Sequence, residues 1–429
     1  MRLLMFGWEF PPHISGGLGT ASYGLTKGMA ACKDLDVIFV VPKAWGDEDQ
    51  SVVRLIGANN VPVAFKKVYY KGFVRPIEKI EVQSMIVPYT DPEDFWKVTR
   101  SEVSAHKLMI HTNHKGTVDF SGSYNNNLMD EIHKYAIVAS VIASENQFDI
   151  IHAHDWLAYP AGIAAKEASG KPLVIHVHAT DFDRSGGNVN PSVYNIEKMG
   201  MDAADKIITV SNLTRDIVIH KYNIHPDKVE TVYNAVEPVH LEGESLVRKG
   251  FDEKVVTFLG RITLQKGPEY FIEAAYKVLK VMDNVRFVMA GSGDMMERMI
   301  RRAAALKITD RFHFTGFLKG RDVFTMLEMS DVYIMPSVSE PFGISPLEAM
   351  QSNVPVIISK QSGVAEILTH AVKTDFWDID AMADAIYGIL NYPALTNMII
   401  KNGKEEVIRL KWDNSARHVN DIYQRVLGY

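Results

Sequence analysis

Short runs of apolar and β-branched residues alternate with longer helical segments along most of the chain, and this alternation limits the fold more than any other feature. The runs are continuously apolar, which is typical of strands in a parallel sheet that is covered by helices on both faces. In the second half, strands are predicted at Val255–Gly260, Val285–Ala290, Phe312–Thr315, Val332–Met335 and Val354–Ser359, with helices at Tyr270–Met282, Met295–Leu306 and Arg321–Met329.

The same rhythm opens the chain and predicts a second sheet of the same kind. The 429 residues exceed what one hydrophobic core usually organises. We therefore expect an α/β protein with two doubly wound, Rossmann-like domains facing a central cleft, where such sheets bind ligands beyond the carboxyl ends of their strands. First-half strands are predicted at Arg2–Phe6, Val37–Val41, Ile150–His152, Leu173–His176, Lys206–Val210 and Glu230–Val232, with helices at Leu18–Ala31 and Arg215–Lys221.

Two segments depart from this rhythm. Residues 45–135 are rich in Tyr, Lys, Asn and Gly, and they predict either a surface insertion or a surface for an acceptor or for oligomerisation. Residues 237–250, with Pro, Glu and Gly, predict the connection between the two domains. The expected domains are accordingly residues 1–238 and 239–408.

Composition narrows the classes of function. A formal net charge of -6 argues against a general nucleic-acid-binding protein, which usually has a basic face. The single cysteine, Cys32, excludes an internal disulfide and a thiolate metal cage, and it fits a reducing compartment. Since we find neither a leader pattern nor an apolar run near the ~18 residues of a membrane span, we expect a cytoplasmic protein without a transmembrane segment.

The segment PSVSEPFGISPLEAM at 336–350 places two carboxylates, Glu340 and Glu348, around a turn and a helix start. Residues 345–348 have the pattern of a capping box with Ser345 as the N-cap. The free backbone donors of this helix start predict an anion site. Glu348 could serve the cap alone. Capping does not explain Glu340, which could accept hydrogen bonds from ligand hydroxyls.

Residues 260–267, GRITLQKG, form a second polar segment, which follows the first predicted strand of the second half. Arg261 and Lys266 bracket this loop. A planar guanidinium and a point-charge ammonium together suit a diphosphate and would neutralise charge that develops on it. Two solvated surface cations are the alternative, but the position at the carboxyl end of a strand favours a binding site.

A glycine turn, SGGLGT at 15–20, separates the first predicted strand from the first helix. Gly16 and Gly17 let the backbone approach a phosphate closely. The turn does not match the dinucleotide-binding fingerprint, because Ser22 stands where the third glycine belongs. We interpret it as a glycine turn that faces the cleft.

Alternate histidines end two predicted strands, in HAHDW at 152–156 and in HVHATD at 176–181. Alternate residues of a strand point to one side, so zinc is a candidate ligand. No third ligand at a fixed spacing is visible, and buried strand-end histidines are often simply hydrogen-bonded. Asp181 and Asp183 have the spacing of an Asp-x-Asp metal clamp, but so short a string often arises by chance. We therefore predict no metal site and no cofactor.

Together these motifs point to one family. EPFG with Glu348, GRITLQKG, SGGLG, HAHDW, VSNLT at 210–214 and VYNAVE at 232–237 occur in a typical order. The chain resembles the retaining glycosyltransferases of GT-B architecture, and most closely the glycogen and starch synthases. The resemblance covers nearly the whole chain, and it extends to sucrose-phosphate synthases and bacterial cell-surface glycosyltransferases.

The resemblance implies a catalytic set of four residues. Arg261 and Lys266 would hold the diphosphate of the donor. Glu340 would bind hydroxyls of the transferred sugar, and His178 would lie near its primary hydroxyl.

The resemblance also implies binding roles. Glu348 would hold the ribose of the nucleotide, and residues 409–429 would form a terminal helix that crosses back to the first domain. The further donor-binding residues would be Gly16, Gly17, Asn234, Gly343, Ile344 and Ser345. The residues near the sugar or the acceptor would be His154, Asp155 and Trp156.

One position departs from the family pattern. Bacterial ADP-glucose-dependent members carry a lysine before the glycine pair, where this chain has Ile14. UDP-glucose and ADP-glucose are therefore both candidate donors. The expected reaction is a retaining, metal-independent transfer of glucose to the non-reducing end of an α-1,4-glucan, without an enzyme nucleophile.

Two alternatives stay open at the level of sequence. One is a transferase that acts on another acceptor, such as a sugar phosphate or a lipid-linked or cell-surface saccharide; residues 66–75, KKVYYKGFVR, are the only candidate for a membrane face. The other is a non-catalytic protein that binds a sugar nucleotide or a glucan. The expected partners are a nucleotide sugar and an α-glucan, not a nucleic acid, and the sequence does not fix the oligomeric state.

Overall fold

The computed structural model describes residues 1–14, 16–32, 34–63, 113, 116–124, 127–238 and 249–429. Most of the predicted insertion, including the basic segment 66–75, lies outside the described residues, and so does the middle of the predicted connection. Among the described helices, none is both long enough and apolar enough to cross a membrane.

The first sheet has seven parallel strands in the order β3-β2-β1-β4-β5-β6-β7. Its strands are β1 (Arg2–Phe6), β2 (Asp36–Val41), β3 (Arg54–Gly57), β4 (Ile150–His154), β5 (Leu173–Val177), β6 (Lys206–Thr209) and β7 (Val229–Thr231). The helices of this part are α1 (Gly17–Ala30), α2 (Leu128–Glu145), α3 (Asp155–Ser169), α4 (Asp181–Ser185), α5 (Pro191–Ala203) and α6 (Asn212–Lys221).

The second sheet has six parallel strands in the order β10-β9-β8-β11-β12-β13. Its strands are β8 (Lys254–Leu259), β9 (Val285–Ala290), β10 (Phe312–Gly316), β11 (Val332–Met335), β12 (Val356–Ser359) and β13 (Val372–Thr374). The remaining helices are α7 (Pro268–Val278), α8 (Met296–Ala305), α9 (Arg321–Glu328), α10 (Ser345–Gln351), α11 (Ile379–Asn391), α12 (Pro393–Val407) and α13 (Trp412–Leu427).

The strand orders confirm the predicted fold of two doubly wound, Rossmann-like sheets. In each sheet the chain first builds one side and then returns to build the other, so the order reverses between β1 and β4 and between β8 and β11. Ligands of doubly wound sheets bind beyond the carboxyl ends of the strands at such reversals. The glycine turn follows β1, HAHDW spans the end of β4, and the segments with Lys266 and Glu340 follow β8 and β11. The exact boundaries of the domains stay predictions.

Two sequence predictions about the elements were wrong. Residues 54–57 and 128–135 were assigned to a surface insertion, but the first group is the edge strand β3 and the second begins α2. Tyr135 of α2 is fully buried, and its hydroxyl donates to the carbonyl oxygen of Gly7 or Val40. The helix predicted to reach Met282 ends at Val278. The aromatic and polar composition of 45–135 concealed these elements.

The last helix, α13, packs against the first sheet although it follows the second sheet in the chain. Val419 and Tyr423 of α13 belong to the same hydrophobic cluster as Leu3 and Met5 of β1. Two glycines of α1 let α13 come close. A Cβ at Gly28 would lie 2.6 Å from the carbonyl oxygen of Trp412, which is much closer than a real carbon atom could approach.

Replacing Gly28 by alanine is expected to lower the free energy of unfolding by about 1–3 kcal/mol, the usual cost of an added methyl group in a closed contact. The methyl group would meet backbone of α13, which cannot rotate away as a side chain can. Urea denaturation measures the effect. Gly388→Ala in α11 is the matched control, because its Cβ would meet nothing within 4 Å and should stabilise the helix by about 0.5–1 kcal/mol. Equal midpoints for the two variants would contradict the close contact.

Candidate active site

The loops after β8 and β11 meet at the reversal of the second sheet. The ammonium of Lys266 donates a hydrogen bond to the carboxylate of Glu340, and the backbone N–H of Val338 donates to the carbonyl oxygen of Gln265 over 2.9 Å. Gly267 makes this approach possible, because its φ is +64° and a Cβ there would lie 2.1 Å from the carbonyl oxygen of Pro336. The structure thus joins Lys266 and Glu340, which are 74 positions apart in sequence.

The carboxylate of this ion pair is buried, whereas a second cation on the Lys266 loop is exposed. Glu340 is 7% exposed, and the hydroxyl of Ser337 also donates to its carboxylate over 3.3 Å. Arg261 is exposed on the same loop as Lys266, and its guanidinium donates to the side-chain oxygen of Gln265 over 3.4 Å. An ammonium has three N–H donors, so Lys266 can hold Glu340 and still donate to a second anion.

The predicted capping box at Ser345 was wrong. Helix α10 begins at Ser345 itself, Ile344 is its N-cap, and no side chain caps it. The hydroxyl of Ser345 instead shares a hydrogen bond of 2.8 Å with the hydroxyl of Tyr333. A tertiary partner on β11 has displaced the local one that the sequence pattern favours.

The side chain of Glu348 consequently does not cap the helix. Its side chain is half-buried, and no described residue donates a hydrogen bond to its carboxylate. Burial raises the pKa of Glu348 to about 7, since a charged carboxylate loses hydration there without gaining a partner. A half-buried acid in this condition is available to a ligand.

The reversal of the first sheet carries the glycine turn. Gly16 and Gly17 are exposed, and a Cβ at either position would meet nothing within 4 Å among the described residues. The start of α1 is therefore open to a ligand. Asn234, which follows β7, is 8% exposed. The roles of all three in donor binding stay predictions.

Four histidines stand side by side at the carboxyl ends of β4 and β5. His152, His154 and His176 are buried, at 0%, 0% and 2% exposure, whereas His178 is half-buried at the edge of the sheet. Nδ1 of His154 and Nε2 of His178 form a hydrogen bond of 2.9 Å. The sequence analysis placed His154 near the sugar or the acceptor. The structure instead places it behind His178.

Trp156 is also buried, and its predicted role stays a prediction. It was predicted near the sugar or the acceptor, but its indole is 3% exposed and belongs to the hydrophobic cluster on one face of the first sheet. It is the second residue of α3, close to the end of β4, where a large side chain packs under the helix. Core packing is its observed role.

The structure brings His176 beside His152 and His154, so a metal site must be tested on geometry. Ring nitrogens of His152, His154 and His176 lie within 4.8 Å of one another. The rings of His152 and His154 are stacked face to face, with centroids 4.4 Å apart and planes inclined by 19°. A nitrogen lone pair lies in the plane of its ring and a metal sits about 2 Å along it, so stacked rings cannot both aim at one ion. The observed side-chain positions do not fit a metal.

A second group of buried polar side chains surrounds Arg184 in α4. Its guanidinium donates to Asp155 over 3.0 Å and to Glu197 over 3.1 Å, and Tyr222 also donates to Glu197. Burial raises the pKa of Glu197 to about 8 and raises that of Asp155 as well, against the opposing effect of Arg184. Asp155, predicted near the sugar or the acceptor, is thus held by Arg184, and its φ of +61° marks a strained backbone at the end of β4.

The two carboxylates of the Asp-x-Asp string accept local hydrogen bonds, and one of them also contacts the second half of the chain. Asp183 accepts from the backbone N–H and the hydroxyl of Thr180, both over 2.8 Å, and Asp181 accepts from the backbone N–H of Asn190 over 2.5 Å. The hydroxyl of Ser339, next to Glu340, donates to Asp183 over 2.5 Å. This hydrogen bond brings the loop of His178 to the loop of Glu340.

Sequence reasoning missed Arg184 and Ser339. Arg184 follows Asp181 and Asp183 directly, and a lone cation beside two acids at a strand end is a signal that could have been used. Ser339 carries no such signal, since its partner lies 156 positions away.

Two facing doubly wound sheets whose polar loops meet at the strand-order reversals define the GT-B class of glycosyltransferases. Residues 247–406 match the family described as Glycosyl transferases group 1, and residues 133–240 match Glycosyltransferase Family 4. The chain therefore carries a glycosyltransferase group 1 domain and a glycosyltransferase Family 4 domain, and it has the GT-B fold.

Several relatives are similar over most of the chain. An uncharacterised glycosyltransferase of Methanocaldococcus jannaschii is 28% identical over 99% of this chain and 98% of its own length. Glycogen synthase of Mycobacterium tuberculosis is 22% identical over 99% of this chain and 94% of its own. D-inositol 3-phosphate glycosyltransferase of Salinispora tropica is 27% identical over 66% of this chain and 65% of its own. The names of these relatives therefore indicate different acceptors.

Solved structures share the fold at low identity. Sucrose-phosphate synthase of Thermosynechococcus elongatus has a TM-score of 0.71 at 17% identity, over 99% of this chain and 98% of that one. Anabaena HepE in complex with UDP-glucose has a TM-score of 0.64 at 15% identity, over 99% and 100%. The catalytic domain of starch synthase IV of Arabidopsis thaliana, bound to ADP and acarbose, has a TM-score of 0.64 at 16% identity, over 100% and 99%.

Proposed function

We propose that this glycosyltransferase moves glucose from UDP-glucose or ADP-glucose to the non-reducing end of an α-1,4-glucan, with retention at the anomeric carbon. The observation that carries the proposal is the meeting of Lys266 with Glu340 at the reversal of the second sheet, with the half-buried Glu348 in α10, the helix that follows this loop. Structural neighbours with this fold hold UDP-glucose in one case and ADP in another. The glycogen synthase relative and the starch synthase neighbour support a glucan acceptor.

The roles follow from the charges. Arg261 and the two remaining donors of Lys266 bind the diphosphate, which gains negative charge as the bond to the anomeric carbon breaks. Glu340 accepts hydrogen bonds from hydroxyls of the sugar, and Glu348 accepts from the ribose. We propose that the acceptor attacks on the face from which the diphosphate leaves, in a cytosolic reaction that needs no metal ion.

The test is transfer of radiolabelled glucose by the purified chain in the presence of EDTA, from UDP-glucose and ADP-glucose separately, with glycogen as the acceptor. Label in the polymer identifies the donor and supports the glucan acceptor. Hydrolysis of a donor without incorporation keeps the transferase and overturns that acceptor. The inositol phosphate relative then makes a sugar phosphate the next acceptor to assay. If neither hydrolysis nor incorporation is seen, even with divalent cations restored, the result would favour another donor sugar or a binding protein.

Replacing Glu348 by glutamine is expected to raise KM for the donor about 10- to 100-fold, because hydrogen bonds to a charged group contribute about 1.5–3 kcal/mol. The pKa of about 7 gives the effect a pH dependence. The ionised carboxylate is the better acceptor, so affinity for the donor should rise from pH 6 to pH 8 in the wild type and stay level in Glu348→Gln.

The control for this substitution is Glu297→Gln. Glu297 also lies in the first turn of a helix, α8, but its side chain is 78% exposed. Its loss should leave KM unchanged. The free energy of unfolding separates binding from folding: at pH 8 Glu348→Gln should be at least as stable as the wild type, because burial opposes the charge on Glu348. A KM within threefold of the wild type would remove Glu348 from the donor site.

A further inference from the structure

The four-histidine group at the ends of β4 and β5 contains one hydrogen bond between rings and several nitrogens without any. The bond joins Nδ1 of His154 to Nε2 of His178 over 2.9 Å. Nε2 of His154 is fully buried and has no hydrogen-bond partner among the described residues, and the same holds for both ring nitrogens of His176. No described residue bonds to Nδ1 of His178, and that atom is not among the fully buried ones. His178 itself is half-buried, directly beyond the end of β5.

Burial keeps all of these rings neutral. It lowers the pKa of His178 to about 3, and it lowers the pKa of His154 and His176 well below the ordinary value. A neutral imidazole has one N–H donor and one bare acceptor nitrogen. In the bond between His154 and His178, therefore, one ring must donate and the other must accept.

The unpartnered nitrogen of His154 decides which ring donates. If the proton of His154 were on Nε2, a buried N–H would have no acceptor, and Nδ1 would accept from His178. If the proton is on Nδ1, it is used in the bond, and only a bare nitrogen is left without a partner. Orphaned buried N–H groups are rarer than acceptors without a partner. His154 is accordingly the donor, and Nε2 of His178 is the acceptor.

We propose that His154 is a positioning residue that fixes His178 in the Nδ1–H form, so that His178 presents a permanent hydrogen-bond donor to an oxygen of the sugar and cannot act as a base there. The identity of the ligand rests on the proposed function; the protonation of the ring does not. With a proton on Nδ1, His178 donates a hydrogen bond to the oxygen of a sugar hydroxyl. With a bare Nδ1, the hydroxyl would have to donate its own proton to the ring.

The terminal helix α13 contacts the histidine group through His152. The hydroxyl of Tyr423 in α13 forms a hydrogen bond with Nδ1 of His152, and the ring of His152 lies against that of His154. His176 is stacked on His178 with centroids 4.4 Å apart, but it makes no hydrogen bond to it. His176 is therefore a matched comparison for His154: both rings are buried and touch His178, and only His154 donates.

The first experiment is two-bond ¹H–¹⁵N NMR on the full chain with ¹⁵N-labelled histidine, with the His178 signals assigned by loss in His178→Gln. We expect a protonated-type shift at Nδ1 of His178 and a bare-type shift at Nε2. The reverse pattern would overturn the proposal. This measurement needs neither a substrate nor an active enzyme, so it stands even if the transfer assay fails.

The variants then test the cause. His154→Leu should release His178 toward the Nε2–H form that an unconstrained imidazole prefers, and should lower kcat/KM for transfer about 3- to 10-fold, the worth of one neutral hydrogen bond. His154→Asn should restore both, because its amide nitrogen stands where Nδ1 stood. His176→Leu should leave the His178 signals in place. An unchanged His178 pattern in His154→Leu would show that His154 does not set the proton. If that variant does not fold, the wild-type spectrum and His154→Asn still decide the question.

Discussion

Lys266→Ala is expected to lower kcat for sugar transfer by about 10²–10³-fold, the usual cost of removing a preorganised donor from a developing anion. The ammonium lies at the meeting of the two loops, where it bonds to Glu340 and can reach a diphosphate at the same time. Its removal takes positive charge from the leaving group and leaves Glu340 with Ser337 as its remaining hydrogen-bond donor among the described contacts. Steady-state kinetics with the donor that the wild type uses measures the loss.

Two further variants separate the causes of that loss. Lys360→Ala removes a lysine that directly follows β12 and whose side chain is 53% exposed in its ion pair with Asp375. Ion pairs near the surface contribute only about 0–1 kcal/mol, so activity should stay within twofold. In the double variant Lys266→Ala/Glu340→Gln, the uncompensated carboxylate is gone. If kcat stays low, the diphosphate role of Lys266 accounts for the effect. If Lys266→Ala alone costs less than tenfold, that role is excluded.

The two sheets could be predicted from sequence because their strands are continuously apolar and separated by amphipathic helices. Strand order could not be read from the same pattern, since it depends on which strands pair across long connections. The edge strand Arg54–Gly57 was missed for a related reason: it is short, only one of its four residues is buried, and it lies in a segment of polar and aromatic composition. The amino-acid composition of a long segment does not reveal one short edge strand within it.

The candidate site divides in the same way. Glu340 and Lys266 could be selected because charged residues directly after apolar strands lie at the carboxyl edge of a sheet. Their ion pair could not be foreseen, because it requires the backbone approach at Gly267. The cap at Ser345 was assigned from local pattern, and a tertiary neighbour determined the outcome. The ligand contacts of Trp156 and His154 stay predictions, although both side chains are buried. Local pattern therefore selected the candidate residues, and packing determined how exposed each side chain is.

Arg184→Met is expected to lower the free energy of unfolding by about 3–5 kcal/mol, the usual cost of leaving a buried charge without its partner. Arg184 is 9% exposed and donates to both Asp155 and Glu197. Methionine keeps much of the apolar stem but removes the guanidinium. Arg425→Met is the control, because Arg425 is 58% exposed in its pair with Glu230 and should contribute no more than about 1 kcal/mol.

The cost of losing Arg184 should grow with pH. Burial already raises the pKa of Asp155 and Glu197, and Arg184 opposes that rise; without it both values rise further. A carboxyl group whose pKa is higher in the folded state than in the unfolded state loses stability as pH increases through that interval. Urea denaturation at pH 5 and pH 8 should therefore show the larger deficit at pH 8, where the unfolded chain ionises both acids freely. An equal deficit at both pH values would mean that Arg184 acts through packing, and that Asp155 and Glu197 do not depend on its charge.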